Sequence, residues 1–125
     1  MMRLICDAKI VSAKSLEDVA SLVSERILGG IRFIGREKNI YDEVPAIYGE
    51  RPILGLRVVL QGYGGKQPYF LEMRDCRPLD PTLSPDQIRE SVVDISDLVA
   101  RLLEGIEGIT VSIDEDRRRQ TGGGT

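Results

Sequence analysis

A chain of 125 residues, of which 42% are hydrophobic and 30% charged, has the size and composition of one globular domain, which excludes wholesale disorder. The absence of histidine excludes serine–histidine and cysteine–histidine hydrolases and Cys2His2 zinc sites, and leaves catalysis by carboxylates, Lys or Tyr open. The three arginines at 117–119 offset part of the negative charge, so the net charge is −6 for residues 1–116 and −3 for the whole chain. An acidic body favours basic partners over nucleic acid.

The first two predicted elements are a strand and a helix. Apolar and polar residues alternate over Arg3–Val11, which predicts a strand. Ser15 begins a helix with acids in its first turn, and Gly29-Gly30 ends it. The apolar stripe of this helix consists of Leu16, Val19, Ala20, Val23 and Ile27.

Residues 31–52, which follow the first helix, are more polar and less regular in pattern than the elements before them. Ile31–Gly35 predicts a short strand, whereas Arg36–Pro52 is polar and shows neither a helical nor a strand period over most of its length. We predict an extended connection with one short edge strand around Val44–Tyr48, since Pro45 is compatible with an edge.

A hairpin is predicted in the middle of the chain. Ile53–Gln61 has the pattern of a central strand, and Pro68–Arg74 follows as its antiparallel partner after the turn Gly62–Lys66. The residues expected on one face of the first strand are Leu54, Leu56, Val58 and Leu60. The glycine-rich turn lacks the spacing and the following helix of a phosphate-binding loop, so we interpret it as a hairpin turn.

A second helix and a last strand complete the predicted elements. Ser84, Pro85 and Gln87 form a helix start after a proline-rich loop, and Gly105 ends the helix. Its predicted buried stripe is Ile88, Val92, Ile95, Val99 and Leu102, flanked by Val93, Leu98 and Leu103. Asp94 and Asp97 are predicted on the solvent-exposed face of the helix. Ile109–Ile113 predicts a strand, and residues 114–125 predict a disordered, charged and glycine-rich tail.

Two helices with one apolar stripe each must cover one face of a sheet. We therefore predict an α+β fold, a two-layer sandwich with two helices on one face of a mostly antiparallel sheet of four to five strands. Residues 1–113 are predicted to form this single domain.

The N-terminal sequence predicts the cellular location, and the location in turn predicts whether the two cysteines are reduced. Charged residues interrupt Met1–Ile10, so it lacks the hydrophobic core of a signal peptide, and no apolar run approaches the roughly 20 residues that cross a bilayer. We expect a cytoplasmic protein in which Cys6 and Cys76 are reduced thiols, although a bridge between them stays geometrically compatible with a first strand beside Cys76.

The polar connection interleaves carboxylates with tyrosines, which is typical of a protein-binding surface. The candidate partner-binding residues are Glu37, Tyr41, Asp42, Glu43, Tyr48 and Glu50, with Tyr63 at the hairpin tip. The same acids could form a carboxylate pair for acid–base chemistry or hold a divalent metal, but a polar loop seldom supplies the contrasting environments that catalysis needs. A merely solvated loop is the simplest alternative. We predict a binding surface, with no catalytic residue, metal or cofactor.

Two segments, Ile34–Tyr48 and Leu54–Gly62, resemble immunity proteins of bacterial contact-dependent growth inhibition, a polymorphic-toxin system, and the likeness extends over Ile31–Arg74. The resemblance implies a small cytosolic antitoxin that binds one cognate toxin domain, often a basic nuclease, and blocks its active site or substrate surface. It also implies a protein that is not an enzyme and needs no cofactor. The family has no fixed binding residues, so the candidates above depend on the acidic and aromatic pattern alone.

Two alternatives stay open. Secretion chaperones are similar in size and charge, but they usually dimerise and begin with a helix, whereas this chain begins with a strand. A carboxylate-dependent enzyme would require a closed pocket that holds two of the named acids. For the immunity protein we expect a monomer that binds a protein partner, a basic toxin domain, and contacts neither nucleic acid nor membrane.

Overall fold

A computed structural model describes residues 2–35, 39–41 and 44–113, with the backbone alone for 39–41, 44 and 45. The strands are β1 (Arg3–Val11), β2 (Phe33–Ile34), β3 (Asn39–Tyr41), β4 (Val44–Gly49), β5 (Leu56–Gly62), β6 (Tyr69–Asp75), β7 (Val92–Asp94) and β8 (Thr110–Ile113). The helices are α1 (Leu16–Ile27), α2 (Pro85–Ser91) and α3 (Ser96–Leu102). The predicted tail, 114–125, lies outside the described residues.

The described strands form one mixed sheet of eight, in the order β2–β4–β5–β6–β1–β7, with β3 paired to β4 and β8 paired to β1. Every pairing is antiparallel except that between β1 and β7. The α+β class and the mostly antiparallel sheet are therefore confirmed, whereas the predicted four to five strands are too few.

One apolar core lies between the sheet and two of the helices. α1 contributes the predicted stripe, and α3 contributes Val99 together with its C-cap residue Leu103. Both helices pack with side chains from one face of the sheet. The inward-facing strand residues are Cys6, Ala8, Ile10, Ile47, Leu56, Val58, Leu60, Tyr69, Leu71 and Met73. α2 has no buried residue and adds nothing to this core. None of the described helices is long and apolar enough to span a membrane.

The second predicted helix is wrong as a single element. Its start is confirmed, because Ser84 and Gln87 form the reciprocal capping box, but the helix ends at Ser91. Val92–Asp94 then runs parallel to β1, pairing with Arg3–Ile5, before a new helix begins at Ser96. Two adjacent β-branched residues favour this strand over a continued helix, and the open edge of β1 provides its hydrogen bonds.

Asp94 and Ser96 stabilise this break. The Asp94 carboxylate at the end of β7 accepts hydrogen bonds from the Ser96 N–H (2.8 Å) and hydroxyl (2.5 Å), so Asp94 does not lie on the solvent-exposed face of a helix as predicted. The buried Ser96 hydroxyl in turn accepts the N–H of Asp7 at 2.8 Å. Asp7 lies between the β1 residues that pair with β7 and those that pair with β8, so the hydroxyl satisfies a donor that no edge strand reaches.

Two predictions about the middle of the chain also need correction. Leu54 is not on the inward face of a strand, because β5 begins at Leu56 and the Leu54 side chain is 92% exposed in the preceding turn. The segment around Val44–Gly49 is not an edge strand, because Tyr48 pairs with Val59 of β5 and with Ile34 of β2. The predicted hairpin is confirmed from Leu56 onward, where β5 and β6 pair from Leu56 with Asp75 to Gly62 with Tyr69.

Candidate functional site

The structure places the sequence-predicted site residues in different locations. Glu37, Asp42 and Glu43 lie outside the described residues, and Tyr41 is described only through its backbone in β3. Glu50 is exposed and precedes the turn into β5, whereas Tyr63 is 71% exposed and follows the other end of β5. The structure therefore does not bring these two residues together. Their role in partner binding stays a prediction.

Tyr48 is partly engaged in the fold. It is half-buried in β4, and its ring lies against Gly35, where a Cβ atom would come within 2.2 Å of the Tyr48 Cε1 atom. Gly35 has a φ of 90°, a conformation that disfavours larger residues. The tyrosine ring thus packs over a glycine that leaves room for it.

The structure provides a different candidate, a cleft of about 660 Å3 between α1 and β2. The apolar part of its described lining consists of Ala20, Ile31, Phe33, Ile34 and Ile47. Its polar part includes Glu17, Ser21, Ser24, Glu25 and Arg32. We name this feature the α1–β2 cleft.

The cleft exists because α1 presents short side chains toward β2. Ala20, Ser21 and Ser24 lie along the helix where larger residues would fill the space. The chain leaves α1 through Gly29 and Gly30, with φ of 70° and 82°, and then turns back beneath the helix. The Ser24 hydroxyl donates to the Ile31 carbonyl at 2.5 Å and fixes this return.

Among the described residues around the α1–β2 cleft, carboxylates outnumber cationic side chains. Glu17 and Glu25 are exposed on α1, about 12 Å apart along its axis at the helical rise per residue. Arg32 donates from Nε and Nη2 to Glu50 Oε2, both at 3.2 Å, so one more carboxylate lies beside the cleft. In the part of the site that the structure describes, three carboxylates and one guanidinium surround an apolar floor, which suits a cationic segment with apolar parts.

The opposite face of the sheet holds a polar cluster that the sequence analysis missed. Asp7 is 1% exposed and lies directly across from Glu72, which is 7% exposed. Arg74 binds both oxygens of Asp7, at 2.9 and 3.2 Å, and also donates to the carbonyls of Cys6 and Met73. Charged residues at alternate positions of β1 and β6 are visible in the sequence, but the pairing of these distant strands is not.

The two cysteines differ in reactivity. Both are free thiols, with Cys6 buried and Cys76 exposed, so the alternative of a bridge between them is not realised. Burial, and secondarily the nearby Asp7 carboxylate, raise the pKa of Cys6 from 9.0 to about 12. Between these two values the unfolded chain releases a proton that the folded chain keeps, so Cys6 makes unfolding easier as the pH rises through that window.

We expect one thiol per chain to react rapidly with a disulfide reagent such as DTNB at about pH 8, and both to react in denaturant, because the thiolate is the nucleophile. Cys76→Ser should remove the rapid phase, whereas Cys6→Ser should leave its rate unchanged. Equal native rates for the two thiols would contradict the buried position of Cys6.

Comparisons with protein-family models, curated proteins and solved structures find no match for this chain. Among the described residues, no group of three or more Cys, Asp or Glu side chains is placed to hold a metal ion.

Proposed function

We propose that this chain is an immunity protein that binds a basic toxin domain in the cytosol and neutralises it by protein–protein association through the α1–β2 cleft. The observation that supports this proposal is the combination of an apolar floor with the carboxylates of Glu17 and Glu25. The resemblance of Ile34–Tyr48 to immunity proteins points to the same class of function.

The cleft offers a basic partner two kinds of interaction. The aliphatic part of a Lys or Arg side chain can pack on Ile31 and Phe33, while its charged head meets a carboxylate at the rim. Exposed carboxylates also accelerate the approach of a cationic surface. A toxin nuclease needs a basic surface for its own substrate, so occupation of that surface would block its activity.

The test is to search the neighbouring gene for a small toxic domain and to co-express any such domain with this chain, followed by co-purification and titration of the two proteins. We expect Glu17→Lys/Glu25→Lys to weaken binding by about 10- to 100-fold and to abolish protection, because two attractive contacts become repulsive. Binding by the wild-type protein should also weaken as the salt concentration rises.

Two matched variants locate the binding surface. Glu104→Lys/Glu107→Lys makes the same charge change at exposed positions outside the cleft and should leave binding nearly unchanged. Asp42→Lys/Glu43→Lys tests the acids predicted from the sequence, and normal protection by that variant would count against them.

The proposal fails if the neighbouring toxic domain neither binds the chain nor loses its toxicity when the chain is present. A secretion chaperone would give another result, since it would form an obligate dimer in light scattering and would bind an unfolded segment of its partner. If the Glu17→Lys/Glu25→Lys variant still protects against the toxin, the binding surface lies outside the cleft.

A further inference from the structure

The turn between Ile53 and Leu56 carries a residue that neither its backbone nor its environment favours. Ile53 and Leu56 exchange both backbone hydrogen bonds, at 3.0 and 2.8 Å, around the two central residues Leu54 and Gly55. Their φ values are 51° and 77°, so this is a two-residue turn of the type that prefers Asn, Asp or Gly at both positions. Leu54 is the one non-glycine residue with positive φ among the described residues.

Leu54 is also the most exposed of the large apolar side chains in the described part of the chain, at 92%. An exposed leucine alone is ordinary, but a strained backbone is an observation from which function can be inferred. The turn is well held, because the Cys76 N–H donates to the Gly55 carbonyl at 2.8 Å and Ile53 packs against the core. The Leu54 side chain therefore projects from a rigid turn, which lowers the conformational entropy lost on binding.

The surroundings of Leu54 are basic. Arg51 and Arg57, three residues away on either side, are exposed, and neither forms an ion pair with a described residue. Arg57 lies across from Arg74, whose guanidinium is already engaged by Asp7. We name Leu54 with Arg51 and Arg57 the Leu54 tip.

The surface that complements this tip is present on the chain itself. The α1–β2 cleft has an apolar floor that suits a leucine and carboxylates, Glu17 and Glu25, that suit arginines. We propose that the Leu54 tip inserts into the α1–β2 cleft of a second copy of this chain. The inference shares the cleft with the proposed function but requires no toxin.

The positions of tip and cleft favour a closed pair. Arg32 lines the cleft, and both its side chain and its carbonyl bind Glu50, which lies four residues before Leu54. Because Leu54 follows within four residues of Glu50, which is bound to the rim of the cleft, two copies related by a twofold axis can exchange tips reciprocally and form a dimer, without extending into a filament. Such a dimer buries each acidic cleft, so self-association and partner binding compete.

The experiment is sedimentation velocity on the full chain alone, from about 5 to 500 μM, a range suited to weak association. We expect the wild-type protein to shift from monomer to dimer within this range. Leu54→Asn should weaken the dimer by at least about 10-fold, since it removes the anchor while providing a residue that this turn prefers. Its unfolding temperature should not fall, which separates loss of association from loss of folding.

Leu98→Asn is the matched control, because Leu98 is also exposed, at 54%, but lies on α3 away from the tip. It should dimerise like the wild type. A wild-type chain that stays monomeric over the whole range, or a Leu54→Asn variant that dimerises normally, would overturn the proposal. Neither result would affect the proposed function, because no toxin is present.

A charge exchange provides a second test. Arg51→Glu/Arg57→Glu makes the tip acidic like the cleft, and Glu17→Lys/Glu25→Lys makes the cleft basic like the tip, so each variant alone should be monomeric. Mixed together, each variant's tip faces a cleft of opposite charge, and we expect the dimer to return. Failure of the mixture to associate would contradict insertion of the tip into the cleft.

Discussion

Arg74→Met is expected to lower the free energy of unfolding by about 3 kcal/mol, at the low end of the cost of breaking a buried ion pair, since the Arg74 side chain is 25% exposed. The substitution leaves Asp7, which is 1% exposed, without the guanidinium that binds both of its oxygens. It also removes the donor to the carbonyls of Cys6 and Met73. Urea denaturation would measure the change from the transition midpoint and slope.

Arg57→Met is the matched control, because Arg57 lies directly across from Arg74 on the neighbouring strand but is exposed. It should change the free energy of unfolding by no more than about 0.5 kcal/mol. Asp7→Leu/Arg74→Met, which removes both charges, should recover part of the loss. Equal effects of Arg74→Met and Arg57→Met would show that the Asp7 pair adds nothing to stability.

Leu103→Ala is expected to lower the free energy of unfolding by about 2 to 5 kcal/mol, the usual cost of a cavity in a packed core. Leu103 is 1% exposed and belongs to the single core cluster, next to Val99 of α3. The size of the loss depends on how far α3 can settle onto the sheet to close the cavity. Chemical denaturation at fixed pH would measure it.

Leu102→Ala provides an internal comparison. Leu102 is 47% exposed, so its truncation should cost only about 0.5 kcal/mol. A continuous helix over the region, as predicted from the sequence, instead places Leu102 on the buried stripe. A larger loss for Leu102→Ala than for Leu103→Ala would therefore favour the continuous helix and contradict the break at Val92–Asp94.

Elements with local signals were predictable. β1 and the hairpin of β5 and β6 follow from alternation, and α1 follows from its stripe between Ser15 and the two glycines. The capping box of Ser84 and Gln87 was also recognised, because it depends on residues three positions apart. In each case the interactions that define the element lie within a few residues of it.

Features that depend on distant partners were not predictable. The stripe through Val92 and Ile95 matches a helix. The strand β7 forms there instead because β1, about 90 residues earlier in the chain, offers an edge with which it can pair. β4 was assigned to an edge because nothing local shows that β2 pairs on its second side. Leu54 continued the alternation of β5, but its positive φ belongs to a turn.

The position of the α1–β2 cleft was not predictable from the sequence. An acidic body suggested a basic partner, and the α1–β2 cleft is rimmed by carboxylates, but Glu17 and Glu25 were hidden in an ordinary amphipathic helix. The cleft arises where α1 meets β2 and β4, so its lining comes from three separate segments. Of the predicted acids, Glu50 is described by the structure, and its ion pair with Arg32 places it beside the cleft.

The position of β1 has a consequence for how the protein is made. This strand lies inside the sheet and is completed by residues 69–75, 92–94 and 110–113. During synthesis, the backbone of β1 is therefore fully paired only after β8, which follows much later in the chain, has been made. Such long-range closure slows folding and leaves the apolar side of the nascent strand exposed in the meantime.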